Sequence, residues 1–162
     1  TIAVVGFAAA IFWIVKAIIQ LPIGYYLDKK AGETDDLTAL IGGHIIFAIS
    51  FFLYLLVNEP FHLYLIQILA AFGAALMVPS WYGMFMRHID RYREDFEWSV
   101  NSSLSFGLGT GIASAIGGVL VAKFGFDAVF ILAGIFSLLS ALVTVPLYRY
   151  LKNQPQQPKI TK

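Results

Sequence analysis

Apolar residues dominate five long stretches of the chain, which cover residues 2–27, 38–57, 61–85, 100–122 and 128–148. Each stretch has about 20 or more mostly apolar residues, the length that an α-helix needs to cross a bilayer. The polar residues fall between them, in two short connectors (NEPFH and KFGFD) and two long charged ones (DKKAGETDD and RHIDRYREDFEW). The pattern predicts an all-α, polytopic membrane protein with five transmembrane helices.

The composition favours a membrane protein over a soluble one. Of the 162 residues, 59% are hydrophobic and 13% are charged, whereas soluble domains average about 45–50% and about 25%. The mean hydropathy is +0.76. We therefore expect residues 1–148 to form one transmembrane helical domain in contact with the lipid bilayer. Residues 149–162, which are rich in proline and glutamine, are expected to form a disordered cytoplasmic tail.

Lysine and arginine are divided unequally between the connectors, and this predicts an orientation. The long connectors and the tail hold nine of them, whereas the opposite side holds only Lys123. The nine are Lys29, Lys30, Arg87, Arg91, Arg93, Arg149, Lys152, Lys159 and Lys162. Because positively charged loops stay in the cytoplasm, we expect the C-terminus to be cytoplasmic and the N-terminus to lie outside, in a plasma (inner) membrane.

The ends of the first and fourth predicted helices resemble each other, which suggests an inverted repeat. In each, a glycine is followed five residues later by a lysine and then by another glycine: Gly24, Lys29 and Gly32 in the first copy, Gly118, Lys123 and Gly125 in the second. The copies are three helices apart and cross the membrane in opposite directions, as in secondary transporters. The third helix then needs a counterpart before the first, so we expect a six-helix half that lacks its first helix.

The first copy resembles the signature loop of the major facilitator superfamily, in which glycine, three residues, aspartate and a basic residue precede another glycine. The matching positions are Gly24, Asp28, Lys29, Lys30 and Gly32. Here the last glycine comes one position late and ETDD replaces further basic residues, which suits the weaker copy between helices eight and nine. The resemblance implies a cytoplasmic gate loop: Gly24 allows close helix approach, and Asp28 accepts hydrogen bonds from a helix N-terminus in the absent half.

The rest of the chain extends this resemblance. The segment FEWSVNSSLSFGLGTGIASAIGGVLVAKFGFDAVF is similar to the eleventh helix and its connector, and RHIDRYRED is similar to the link after the tenth. The short polar ending favours the C-terminal half, helices eight to twelve. The resemblance implies a fragment of a secondary active transporter that moves a small-molecule substrate by alternating access, with the missing N-terminal half as its partner. A half-size protein that dimerises and a non-transporting scaffold or receptor of the same fold are the alternatives.

Five side chains within the spans are candidates for a substrate pathway. Lys16 lies about ten residues from either end of its helix, where a lysine costs at least about 2.5–3.5 kcal/mol on insertion scales. Gln20 follows one turn later and Trp13 precedes it by three residues, so the three share one side of the helix. They suit an anionic or polar substrate, although a lysine that snorkels or pairs with the missing half fits equally. Gln67 and Trp81 are added because the resemblance places the tenth helix against the central cavity, although packing and interfacial anchoring account better for each of them alone.

Small residues recur in the fourth predicted helix and indicate close helix packing. Gly107 and Gly111 form one small-xxx-small face, and Ser114 and Gly118 form another. The glycines are not a nucleotide-binding loop, because no basic residue accompanies them within the apolar span.

The chain shows no pattern typical of an enzyme or a cofactor site. His44 and His62 have no second ligand at metal spacing, cysteine is absent, and no serine–histidine constellation or pair of acids lies within a span. We therefore expect no catalytic residues, no metal, no cofactor and no nucleic-acid partner. If transport is proton-coupled, we expect the acid that carries the proton in the missing helices.

Overall fold

The computed structural model describes residues 2–29 and 33–153, and it is helical almost throughout. The helices are α1 (Ile2–Lys29), α2 (Thr34–Leu53), α3 (Pro60–His88), α4 (Glu94–Asn101) and α5 (Gly109–Lys152). A 3₁₀ turn (Tyr54–Leu56) extends α2, and a π-helical segment (Ser102–Leu108) joins α4 to α5. The predicted all-α, polytopic fold is confirmed.

Four helical stretches of the described chain are long and apolar enough to cross a membrane: Ile2–Lys29, Thr34–Leu56, Pro60–His88 and Glu94–Lys152. The last has 59 residues. As one straight helix it would measure about 90 Å, roughly three times the hydrocarbon thickness. It is broken at Gly125, whose φ of 81° and ψ of 175° lie in a region open essentially to glycine alone. The predicted connector KFGFD therefore contains a single residue with non-helical backbone angles.

Contacts on either side of Gly125 show that the helical stretch Glu94–Lys152 reverses direction there. Before the break, the Trp98 ring lies 5.9 Å from that of Phe85, near the end of α3. After the break, Phe130 stacks on Tyr54 at 5.0 Å, at the far end of α2. The chain then returns antiparallel to α2, so that Tyr148 lies beside the first turn of α2. The described part of the chain thus runs along the bundle five times.

One end of the bundle is strongly charged. It holds the end of α1, the start of α2, the end of α3, the start of α4 and the end of α5, and we call it the charged end. Lys29, Arg87, His88, Arg149 and Lys152 lie in the last turns of their helices there, where cations stabilise the helix dipole. We call the other end of the bundle, which holds Tyr54, Pro60 and Gly125, the opposite end.

Helix α2 begins at Thr34, four residues before the predicted start of the second span. The backbone amide of Leu37 donates to the Glu33 carbonyl at 2.9 Å and closes the first turn. Asp35 and Asp36 then lie within this turn, where negative charge is favoured. Two acids that the hydrophobic pattern assigned to a loop are therefore part of a helix.

The centre of the bundle is the contact between α2 and α3, and it is made of small residues. A Cβ atom added to Gly43 would lie 2.7 Å from the Gly73 carbonyl oxygen, and one added to Gly73 would lie 2.9 Å from the Gly43 carbonyl oxygen. Around this crossing α3 buries four alanines: Ala70, Ala71, Ala74 and Ala75. Helix α1 packs on the other side of α3, and the second part of α5 packs on α2.

Candidate functional site

Lys16 lies in the middle of α1, half-buried, with its Nζ 4.9 Å from the centre of the Trp13 ring. A cation over an indole face is attractive because the face carries negative charge. Within residues 2–29 and 33–153, no carboxylate lies within ion-pair distance of Lys16. Gln20, one turn later, is also half-buried. The structure thus keeps Trp13, Lys16 and Gln20 on one side of α1, as the spacing indicated.

A cleft of about 240 Å³ lies between α1, α2 and α3 towards the opposite end, and we call it the aromatic cleft. Its walls are mostly rings, with two polar side chains among them: Phe12, Trp13, Phe47, Phe51 and Tyr54, with Ser50 and Gln67. Two pathway candidates that the sequence placed on separate helices, Trp13 and Gln67, are therefore neighbours in one cleft.

A second cleft, of about 590 Å³, opens at the charged end, and we call it the polar cleft. It lies between the end of α1, the first turns of α2, α3 and the end of α5, and its polar lining comprises Tyr26, Thr34, Asp35, Thr38 and Tyr148. The hydroxyl of Thr38 donates to the Thr34 carbonyl at 2.6 Å and is thereby occupied.

Lys16 lies between the two clefts on the same helix face. Ala9 lines the aromatic cleft and Ile23 lines the polar cleft. Lys16 is seven residues from each, which is about two helical turns and about 10 Å along the axis. Residues at this spacing project from one side of a helix. A cation in the middle of α1 therefore lies between a cleft towards one end of the bundle and a cleft at the other.

Trp81, the fifth pathway candidate, lies in neither cleft. Its ring stacks on Phe85 at 5.1 Å and meets Tyr82 edge-on at 5.2 Å. Tyr82 in turn lies 5.7 Å from Trp98. This cluster of rings joins the end of α3 to the start of α4, so in the described chain Trp81 contributes to packing at the charged end.

The predicted gate loop is described as far as Lys29, and its charged residues there are exposed. A Cβ at Gly24 would lie 3.8 Å from the Pro79 Cβ, so α1 and α3 approach closely at that level. Asp28 and Lys29 are exposed, and the Lys29 ammonium lies 4.2 Å from the centre of the Tyr25 ring. Lys30 and Gly32 lie outside the described residues. The expected contact of Asp28 with another helix end stays a prediction.

A charged cluster at the start of α2 and the end of α3 was not identified from the sequence. The Arg87 guanidinium donates to Glu33 Oε1 at 3.2 Å and to Asp36 Oδ2. Nδ1 of His88 lies 3.5 Å from Glu33 Oε1. The Asp36 side chain is 3% exposed, so its charge is almost fully removed from water and needs this partner. The signal was available, since ETDD and Arg87 belong to consecutive antiparallel helices whose ends meet.

Asp35, next to Asp36, has a different environment. Both of its carboxylate oxygens are buried, and neither has a hydrogen-bond partner in the described structure. It lines the polar cleft, whereas Asp36 faces Arg87. Adjacent aspartates in the same helical turn thus differ in that one is paired and the other is not.

The small residues predicted to pack helices do not meet another helix in the described structure. No atom outside their own helix lies within 4 Å of a Cβ built at Gly111 or Gly118, and Ser114 is exposed. Gly107 approaches only the Ser102 carbonyl, one turn earlier. Close packing occurs between α2 and α3 instead. A packing role for the 107–118 faces therefore remains a prediction about a partner beyond the described residues.

Comparison with known proteins adds the family. The sequence model of the Major Facilitator Superfamily matches residues 1–162, the whole chain. The chain belongs to this superfamily. No curated protein and no solved structure matches it.

Membership in the superfamily accounts for the long apolar helices. Members of the superfamily are membrane transporters and not enzymes, so the chain is an integral membrane protein of a transporter family, in contact with lipid. Within residues 2–29 and 33–153, no group of three or more histidine, aspartate or glutamate side chains could hold a metal ion.

Proposed function

We propose that the chain is part of a secondary transporter that moves a small solute by alternating access, along a path that passes Lys16. The observation that carries this proposal is the position of Lys16 between the aromatic and polar clefts on one face of α1. A substrate site that is reached in turn from each side of a membrane needs an approach from each end, and the two clefts supply these approaches.

Under this proposal, Trp13, Gln20 and Gln67 line the path beside Lys16. Lysine at mid-membrane is costly and is found facing cavities or partners. With no carboxylate within reach in the described chain, the Lys16 ammonium is available to a solute. Trp81 would join the path only if the aromatic cluster at the charged end opened during the cycle.

The charged end is proposed to be the cytoplasmic gate, because the connectors and tail that the sequence assigns to this side hold nine lysines and arginines, and those assigned to the other side hold only Lys123. The N-terminus would then lie outside, in a plasma (inner) membrane. Gly24, Asp28, Lys29, Lys30 and Gly32 would form the gate loop. The pairs that Arg87 makes with Glu33 and Asp36 would hold the neighbouring ends of α2 and α3 together during opening.

The partner of this unit is proposed to be the N-terminal half of the same transporter. The exposed faces of α1 and of residues 109–124 support this, since the Cβ positions of Gly111, Gly117 and Gly118 meet no other atoms. A second copy of a half-size protein would cover the same faces. Expression of the complete reading frame followed by size determination in detergent separates the two, because only the second requires a dimer.

Uptake by the protein from its complete reading frame, reconstituted in liposomes, tests the proposal. A panel of small labelled solutes is screened first, and the variants Lys16→Ala and Lys16→Gln are then compared with the parent. We expect both to reduce uptake at least tenfold, because the charge is lost in both. Lys123→Gln, which removes an exposed charge near Gly125, is the matched control. Unchanged uptake in both Lys16 variants contradicts the pathway, and binding without uptake favours a scaffold or receptor.

A further inference from the structure

The walls of the aromatic cleft are unusually uniform in chemistry. Phe12 and Trp13 meet edge to face at 5.3 Å, and Phe47 and Phe51 do so at 5.1 Å. With Tyr54 they surround the cleft with rings from two helices. Aromatic faces and edges bind planar apolar groups by stacked and edge-on contacts, with little conformational entropy lost on binding. The walls therefore suit a flat, apolar body.

Gln67 is a polar side chain of the cleft that remains available to orient a ligand. The Ser50 hydroxyl donates to the Ile46 carbonyl at 2.9 Å and is already used. Gln67, half-buried on the α3 side, makes no hydrogen bond within the described residues. Its amide can donate to a carboxylate oxygen. Small-molecule sites have this composition, mostly apolar walls with a few polar groups that fix orientation.

A positive charge lies beside the cleft, although no charged side chain lines it. The Lys16 ammonium lies on the Trp13 ring, which forms one wall. No aspartate or glutamate occurs in residues 2–27, 37–58 or 60–89, so the acids of these three helices lie only at their ends. The acids at the end nearest the cleft are Glu59 and, on α5, Asp127, and both are exposed. An anion would be attracted to Lys16, whereas a cation would be repelled without a compensating carboxylate.

The cleft has a volume of about 240 Å³, which is enough to hold a small organic molecule with one ring. We propose that the aromatic cleft binds a small organic carboxylate with a planar, apolar body about as large as benzoate. In this arrangement the ring lies among Phe12, Phe47 and Phe51, and the carboxylate meets Lys16 and the Gln67 amide. The proposal rests on the proposed transport function, because it names the class of solute that enters the path.

Equilibrium binding of radiolabelled benzoate to the purified protein, expressed from its complete reading frame, tests the ligand class. Unlabelled benzoate should displace the label, whereas benzylamine and benzyl alcohol, similar in size but cationic and neutral, should displace it at least tenfold less well. Lys16→Gln should weaken binding about tenfold or more, Lys16→Arg should retain most of it, and the control Lys123→Gln should leave it unchanged. Lys16→Arg keeps the test valid if the neutral variant does not fold.

Two results would overturn the ligand class: displacement by benzylamine or benzyl alcohol as effective as by benzoate, or parental affinity in Lys16→Gln. Uptake of benzoate into liposomes, measured on the same preparation, separates this proposal from the transport proposal. Binding without uptake supports the anion site and counts against transport. Uptake of a different solute with no benzoate binding supports transport and refutes the anion site.

Discussion

Gly43 and Gly42 are adjacent glycines that differ sharply in their surroundings, and this contrast yields a test of the α2–α3 contact. A Cβ at Gly43 would lie 2.5 Å from Met77 Cγ, 2.7 Å from the Gly73 carbonyl oxygen and 3.1 Å from the Met77 amide nitrogen. The Met77 side chain can move, but the two backbone atoms cannot move without separating the helices. No atom lies within 4 Å of a Cβ at Gly42.

The expected magnitude follows from this comparison. Replacing glycine by alanine inside a helix gains up to about 1 kcal/mol of helix propensity, and this gain is common to both positions. At Gly43 it is opposed by overpacking, which typically costs about 1–3 kcal/mol. We therefore expect Gly43→Ala to be less stable than Gly42→Ala by about 1–3 kcal/mol. Because the propensity term cancels, the difference measures the helix contact.

Unfolding by SDS in mixed micelles, followed by circular dichroism, measures the two free energies. The reciprocal variant Gly73→Ala should also destabilise, since its Cβ would lie 2.9 Å from the Gly43 carbonyl oxygen. The double variant should lose less than the sum of the two, because helices separated by the first methyl group accommodate the second more easily. Equal stability of Gly43→Ala and Gly42→Ala would refute the close approach of α2 and α3.

Two further contrasts test the polar contacts. Asp36→Asn should lower the free energy of unfolding by about 1–3 kcal/mol, because it leaves Arg87 without its buried partner, whereas Asp35→Asn should stay within about 1 kcal/mol of the parent. The same unfolding titration measures both, and an equal loss in the two variants would contradict the assignment of Asp36 as the paired acid. Ser137→Ala should cost about 0.5–1.5 kcal/mol, since its hydroxyl donates to a backbone carbonyl of α2 at 2.9 Å. Ser140→Ala, whose exposed hydroxyl bonds within its own helix, is the control, and a loss as large as that of Ser137→Ala would show that the interhelical bond contributes nothing.

The helices could be predicted from the sequence because bilayer thickness fixes the length of an apolar span. Their ends were less predictable, because the signal there comes from charges and from single residues. Asp35 and Asp36 lie at the start of α2. Because they are polar, the hydrophobic pattern assigns them to a loop, although negative charge is favourable in the first turn of a helix. The break in α5 occurs at a single residue of unusual backbone geometry, Gly125.

Contacts between helices were much less predictable, because they depend on rotation and depth. Gly42 and Gly43 are adjacent residues of the same type, so the sequence does not distinguish them, yet only Gly43 faces α3. The small residues at 107–118 have the stronger pattern, but they face no other helix in the described chain. In the site, the spacing of Trp13, Lys16 and Gln20 correctly indicated one side of α1. The meeting of Trp13 with Gln67 required the packing of α1 against α3, which no local pattern specifies.

Burial is unequal among the helices, and this inequality bears on how stability and transport can be separated. Helix α1 buries only Ala8 and Leu27, whereas α2 buries six residues and α3 buries seven. Segments with few buried contacts open or move at lower free energy than densely packed ones. Within the described chain, Lys16 is therefore carried by a helix that buries fewer residues than the α2–α3 pair beside it. Substitutions at Gly43 and Asp36 should act on stability first, and substitutions at Lys16 should act on binding and uptake while the bundle stays folded.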